Sequence, residues 1–422
     1  MADTKTIHVY AHWKGLPNPA LMGILSSERL KGKEIFSFSY TREWLDSGYA
    51  QHLDPALQLY SGPQYPDANK NNFGIFLDSS PDRWGRLLMR RREAAMARRE
   101  NRKENNLFET DYLLGVYDGH RMGGLRFKED RDGAYLNDDA AMASPPWTSL
   151  KELEYASLQL EKDNAVHDPD YLKWLNLLVA PGSSLGGARP KASVLDNKKH
   201  LWIAKFPSAN DDKDIGGWEM VVNELAIKAG LNVAEGTAIK FSKKQHTFLA
   251  KRFDRTENGE RIHFASAMTL LGLNDGNDYE DGISYLHLAE FLMRNGSNVA
   301  ADLEELWRRI VFYIYVSNTD DHLRNHGFLL NSGGWGLSPA FDINPVENGT
   351  GLKLNISLTD NALVAEIALD VAKEFRITSE RAKEILTTIQ KSVRRWRDVA
   401  EKFKISKTEQ ERMSRAFKID GK

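Results

Sequence analysis

The sequence predicts an α+β chain in two parts, a mixed β/α half followed by a helical half. Three observations carry this. Short aromatic and β-branched runs, set apart by Gly, Pro and Asn, recur up to Asp254. One amphipathic helix, "GGWEMVVNELAIKAGL", lies between two pairs of such runs and stops at Gly230. Beyond about Glu257 the apolar residues return with a 3.6-residue rhythm.

The elements follow in chain order. "TIHVYAHW", "LMGILS" and "EIFSFSY" read as strands. "SSPDRWGRLLMRRREAAMARRENRKEN" opens with helix-start chemistry and continues in strong helix formers. It carries nine basic residues between Arg83 and Lys103. Such a run is a solvated face or a docking surface for an acidic partner or DNA phosphate. From Gly119 to Ala143 the composition predicts turns and a surface hairpin, and Pro145-Pro146 starts a further helix. "KASVLD", "KHLWIAKF", "GTAIKF" and "HTFLAKRFD" are strands, and five amphipathic segments from Ser284 to Phe417 are helices. No repeat at solenoid period is present. The expected division is 1–125, a β-rich subdomain with a basic helix; 126–254, a nucleotide-binding lobe; and 255–422, an all-helical catalytic lobe.

The bulk numbers exclude several classes. A chain of 422 residues predicts two or three domains with ample core. With 57 basic and 59 acidic residues, global charge does not point to nucleic acid. No cysteine is present, which excludes disulfides, Cys-ligated zinc and thiol catalysis and suits a reducing cytosol. The N-terminus lacks an apolar core of signal-peptide length, and no apolar run is long enough to span a bilayer. The expected setting is cytoplasmic, without a membrane.

The chemistry lies in "VSNTDDHLRNHGFLL" and, further on, "LSPAFDINP". Phosphoryl transfer to a hydroxyl needs a carboxylate to accept the proton, and an amide oxygen with a second carboxylate to hold Mg²⁺ on the nucleotide phosphates. Asp320, Asn325 and Asp342 supply these groups in that order, with four residues between the first two. Upstream, "SSLGGARPKASV" sets Gly186, Gly187 and Ala188 where backbone N–H groups can approach phosphate, with Lys191 close by. A Gly-Gly turn explains that stretch as well. Ser183 and Ser184 place hydroxyls beside the loop. Lys205 lies in an apolar strand, where an ammonium needs a carboxylate or anionic ligand. Glu219 and Glu224 share the following helix on different faces. Lys251, Arg252, Phe253 and Asp254 form a strand running into a connector whose backbone suits an adenine edge. His322 and His326 invite a metal-site reading, but Mg²⁺ prefers oxygen ligands. His322 is better placed to brace the loop. Asp342 before Asn344-Pro345 also fits an Asx-turn.

Taken together these motifs resemble the HipA family of toxin kinases in type II toxin–antitoxin modules, across nearly the whole chain. "SSLGGARPKAS" resembles the family's Gly-Ala-Gln-Pro-Lys loop, "LWIAKFPS" and "WEMVVNELAIKAGL" its Lys strand and Glu helix, and "KRFDR" its hinge. "NTDDHLRNHGFLL" and "LSPAFDINP" resemble its catalytic loop and Mg²⁺ motif, and "FLDSSPDRWGRLLMRRR" its N-terminal Pro-Asp-x-x-Gly-x-x-Leu segment. The resemblance implies a two-lobed, protein-kinase-like fold using ATP and Mg²⁺. Asp320 is then the base, Asn325 and Asp342 the Mg²⁺ ligands, and Lys205 the phosphate contact oriented by Glu219. Ser184 falls at the autophosphorylated loop serine. A HipB-like helix-turn-helix antitoxin, a protein substrate such as glutamyl-tRNA synthetase, and operator DNA contact through the antitoxin complex are also implied, with Arg86 to Arg102 a candidate DNA surface. Arg189 replaces the usual loop Gln, Lys251 the hinge Glu, and "RIHFASAMTLLGL" departs from the usual segment after the hinge.

Two other functions compete with a protein kinase. One is a kinase fold acting as co-repressor with an antitoxin, against which the retention of Lys205, Asp320, Asn325 and Asp342 argues. The other is a small-molecule kinase, against which the β-rich N-terminal part and the Ser184 loop argue.

Overall fold

The computed structural model describes residues 3–30, 32–139, 143–179, 187, 189–241 and 245–418. They form two compact units. The first comprises 1–209 and 254–265, the second 210–253 and 266–422.

The first unit opens with β1 (Asp3–Ala11), β2 (Ala20–Leu30) and β3 (Lys33–Tyr40). Their alternation buries Ile7, Val9, Leu25, Phe36 and Phe38 on one face. Register follows from that pattern: Ile7 opposes Leu25, and Leu25 opposes Phe38. Gly23 is required, since a Cβ there would lie 2.3 Å from the Phe38 ring and 2.5 Å from the Ser39 carbonyl oxygen. Then come α1 (Arg42–Leu45), α2 (Gly74–Asp78), α3 (Arg83–Arg99), α4 (Glu109–Gly115) and β4 (Leu125–Lys128). Rings of Phe38, Phe73, Phe76 and Phe127 pack together beneath the sheet.

Strand β4 departs from the expected surface hairpin. It pairs antiparallel with β1, giving the sheet order β3-β2-β1-β4. The polar composition around it hides a buried arginine. Arg121 is 0% exposed and donates to the carbonyl oxygens of Ser79, Leu113, Val116 and Leu136 at 2.8 to 3.1 Å. One guanidinium thus satisfies backbone carbonyls at the end of α4 and in the segments that flank it. Helices α5 (Leu150–Leu160) and α6 (Tyr171–Val179) follow, then the hairpin β5 (Lys191–Leu195) and β6 (Leu201–Lys205). Helix α6 has no counterpart among the expected elements, because nine residues give too few turns to set a period.

The second unit begins with α7 (Ile215–Lys228) and the hairpin β7 (Gly236–Ile239) and β8 (Thr247–Lys251). The chain returns to the first unit at Asp254 and leaves it through β9 (Phe264–Ser266). It then forms α8 (Ala267–Leu270), α9 (Tyr285–Asn295), α10 (Val299–Val316), β10 (Gly327–Asn331), β11 (Gly334–Leu337), α11 (Ala365–Asp370), α12 (Ser379–Val393), α13 (Trp396–Lys402) and α14 (Lys407–Met413). Helix α10 is the spine of the unit, every residue from Arg309 to Val316 being buried.

One expectation changes. The C-terminal lobe is not all helical, because "GFLLN" and "GWGL" pair as the β10–β11 hairpin. Helix α7 packs with the C-terminal helices: Ser392 Oγ donates to the Leu225 carbonyl oxygen at 2.6 Å, and Trp218 Nε1 to Glu409 Oε1 at 2.8 Å. Among the described residues no helix is long and apolar enough to cross a membrane.

Candidate active site

In the second unit the site grows from the C-terminus of α10. Ser317 ends the helix in the left-handed conformation (φ 50°), and its hydroxyl donates to the Ala416 carbonyl oxygen at 2.7 Å. The chain then turns through 318–326 into β10. Backbone bonds tie that loop, from His322 N–H to the Asp320 carbonyl oxygen at 3.0 Å and from Asn325 N–H to the His322 carbonyl oxygen at 2.8 Å.

Asn325 is oriented by its amide nitrogen, which donates to the Asp320 carbonyl oxygen at 3.0 Å. Its Oδ1 is buried and has no hydrogen-bond partner among the described residues. A buried amide oxygen without a donor is what a hard cation takes as ligand. Asp342 has φ +57°, a conformation side chains seldom adopt. Asn344 Nδ2 donates to Asp342 Oδ1 at 3.0 Å, and Asn318 Oδ1 accepts from Asn344 N–H at 3.0 Å. The Asp342 carboxylate is thereby tied back to the loop that carries Asp320. An amide oxygen and one carboxylate suit Mg²⁺ rather than a softer metal, so the residues fit that ion.

Asp320 reaches solvent, yet its carboxyl is held above its ordinary value. Partial burial is the main cause. Asp342 and Asp321 add to it, while His322 and Lys353 oppose it. Asp342 therefore lies close enough for the two carboxylates to feel each other.

Beneath the loop sits a side-chain brace built on Asp321. Asp321 is 1% exposed, and its Oδ2 accepts from His326 Nε2 at 2.8 Å and from the Tyr285 hydroxyl. Burial and the Asp321 carboxylate push the Tyr285 hydroxyl well above its ordinary range, so it remains a donor. The brace is thus built by Asp321 and His326, whereas His322 contributes through its backbone. The doubled "DD" and the second histidine of "NHG" were the available signal. Among the described residues no group of three or more His, Asp or Glu is placed to hold a metal.

Other expected residues of this unit are placed as follows. Glu219 is 4% exposed on α7, whereas Glu224 is spent on surface pairs with Lys228 (2.8 Å) and Lys402 (2.6 Å). Lys251 donates its N–H to the Glu235 carbonyl oxygen at 2.8 Å, and Arg252 is buried. The Phe253 ring lies against Phe341, 5.4 Å between centroids, next to Asp342 in sequence.

Gly187, Lys191, Lys205 and Asp254 belong to the first unit. Asp254 is fully buried, and its Oδ2 accepts from Gly123 N–H at 2.9 Å and Arg255 Nη1 at 2.6 Å. Lys191 and Lys205 face each other across the β5–β6 ladder. Arg189 donates to the Phe206 carbonyl oxygen at 3.2 Å. Ser183, Ser184, Gly186 and Ala188 lie outside the described residues.

The model of the HipA-like C-terminal domain matches residues 183–396, more than half of the chain. The chain belongs to the HipA-like family. Its HipA-like fold is also seen in a solved structure, the HipA of Shewanella oneidensis MR-1 in a complex with HipB and operator DNA. That likeness has a TM-score of 0.66 at 18% identity, covering 97% of this chain and 94% of the other. Among curated proteins, a "Putative kinase" of Haemophilus influenzae is 26% identical over 35% of this chain and 48% of its own length. "Toxin YjjJ" of Escherichia coli is 24% identical over 47% of this chain and 45% of its own length. "Putative kinase Y4dM" of Sinorhizobium fredii is 26% identical over 52% and 59%. The chain spans about half the length of the curated relatives it matches.

Proposed function

We propose that this HipA-like chain is an ATP- and Mg²⁺-dependent serine/threonine protein kinase. The carrying observation is Asn325, whose amide is turned by the Asp320 backbone so that a buried, unpartnered oxygen is left for a cation. Asp320 accepts the proton of the attacking hydroxyl, and its raised affinity for protons suits that task. Asn325 and Asp342 hold Mg²⁺, which draws charge from the phosphates when bound. Lys205 takes the nucleotide phosphates, with Glu219 as its orienting carboxylate.

As a HipA-like toxin it phosphorylates a cellular protein, with an aminoacyl-tRNA synthetase such as glutamyl-tRNA synthetase as the class to test first. It modifies its own Ser184, and phosphate there repels the nucleotide phosphates, switching the enzyme off. A HipB-like DNA-binding antitoxin neutralises it. The Shewanella relative, bound to HipB and operator DNA, supports that partner.

The test is to incubate the protein with Mg²⁺ and ATP, alone and with cell lysate, and to follow phosphate by mass spectrometry against Asp320→Ala. Phosphate on Ser184 or on a lysate protein in the wild type alone is the expected result. Absence of both overturns the reading, and phosphate on a metabolite alone replaces it with a small-molecule kinase.

A further inference from the structure

The Pro81-Asp82 segment at the start of α3 has no part in the reading above. In the structure Asp82 serves two partners at once. Its Oδ1 accepts from Gly85 N–H at 2.8 Å, capping α3. Its Oδ2 lies 2.8 Å from Lys191 Nζ, 109 residues away in sequence. The two side chains are 1% and 3% exposed. A carboxylate fixed by a helix N-terminus is a rigid anchor, and burial leaves the ammonium little freedom beside it.

Lys191 is the first residue of β5 and stands directly opposite Lys205 of β6. Opposed residues of an antiparallel pair project to the same face, so the two lysines are neighbours there. Gly187 has φ +93°, and a Cβ on it would lie 3.3 Å from Lys191 Nζ. Gly187, Lys191 and the face bearing Lys205 therefore come together near one buried carboxylate. A buried pair contributes little net stability against an apolar substitute, so fixing a geometry is the better account of it.

We propose that Asp82 is a positioning residue of the nucleotide site: it fixes the Lys191 ammonium beside Gly187 and on the sheet face that bears Lys205, the proposed phosphate contact. The proposal rests on the kinase reading and extends its phosphate site to the N-terminal part of the chain.

The test measures binding of a fluorescent ATP analogue with Mg²⁺ to the full chain. Wild type, Asp82→Asn, Lys191→Met and the double variant are compared, with thermal unfolding recorded for each without nucleotide. Asparagine caps helices as well as aspartate does, so Asp82→Asn keeps α3 and removes only the charge. Asp82→Ser, another capping residue, substitutes if the asparagine variant does not fold. The expected result is about tenfold weaker binding for Asp82→Asn and at least as much for Lys191→Met. The double variant then binds no more weakly than Lys191→Met alone, because Asp82 acts through Lys191. Unchanged binding in Asp82→Asn, or losses that multiply in the double variant, overturns the proposal. Failure of the wild type itself to bind the analogue overturns the kinase reading, and this proposal with it.

Discussion

In the proposed reaction Asp320 and Asn325 divide the work between a carboxylate at the surface and an amide beneath it. Replacing Asp320 by Ala removes the proton acceptor and leaves the Asn325 bond intact, since that bond goes to the Asp320 backbone. Phosphate transfer is expected to fall at least about 10²-fold. Nucleotide affinity is expected to stay within about threefold, as checked by turnover and equilibrium binding. Asp321 is one residue on and belongs to the interior. Asp321→Ala strands a buried tyrosine hydroxyl and an imidazole N–H, a loss of about 3 kcal/mol in chemical denaturation.

At the scale of elements, α7 shows how one cap organises its surroundings. Asp214 Oδ1 accepts from Gly217 N–H at 3.0 Å and His246 N–H at 2.7 Å, and Oδ2 pairs with the His246 ring at 2.6 Å. Burial pushes the Asp214 carboxyl up, but these bonds outweigh it and hold it below its ordinary value of 3.8. A depressed carboxyl stabilises the fold above pH 3.8, and that stabilisation is lost as pH falls through the folded value. Asp214→Ala is therefore expected to cost about 2 kcal/mol near neutrality, with the difference from wild type shrinking in acid below pH 3.8. Denaturant melts across that range read it directly.

For the whole molecule, acid sensitivity has a second source. His263 is fully buried against Trp13, 4.9 Å between rings, and burial lowers it from 6.5 to about 3. Between those values the unfolded chain holds the extra proton, so stability rises with pH across the window and is lost as pH falls below 6.5. His263→Gln is expected to flatten unfolding midpoints between pH 4 and 6.5, where wild type slopes downward toward acid. The order of strands and helices was largely legible at this scale, because period 2 and period 3.6 are properties of contiguous residues. The β10–β11 hairpin, β4 and α6 were not, since each is short and its place is decided by what it packs on.

What the sequence by itself determined is local: the spacing of Asp320, Asn325 and Asp342, the strand that carries Lys205 and the predominantly helical run after Glu257. Residue type and short spacing are sufficient for these. Tertiary structure alone decided the pairing of groups far apart in the chain. Tyr285 meets Asp321 across 36 residues, and Lys191 meets Asp82 across 109. The physical reason is that a buried charge must find its counterpart wherever packing delivers one. No local pattern records which distant helix will supply it.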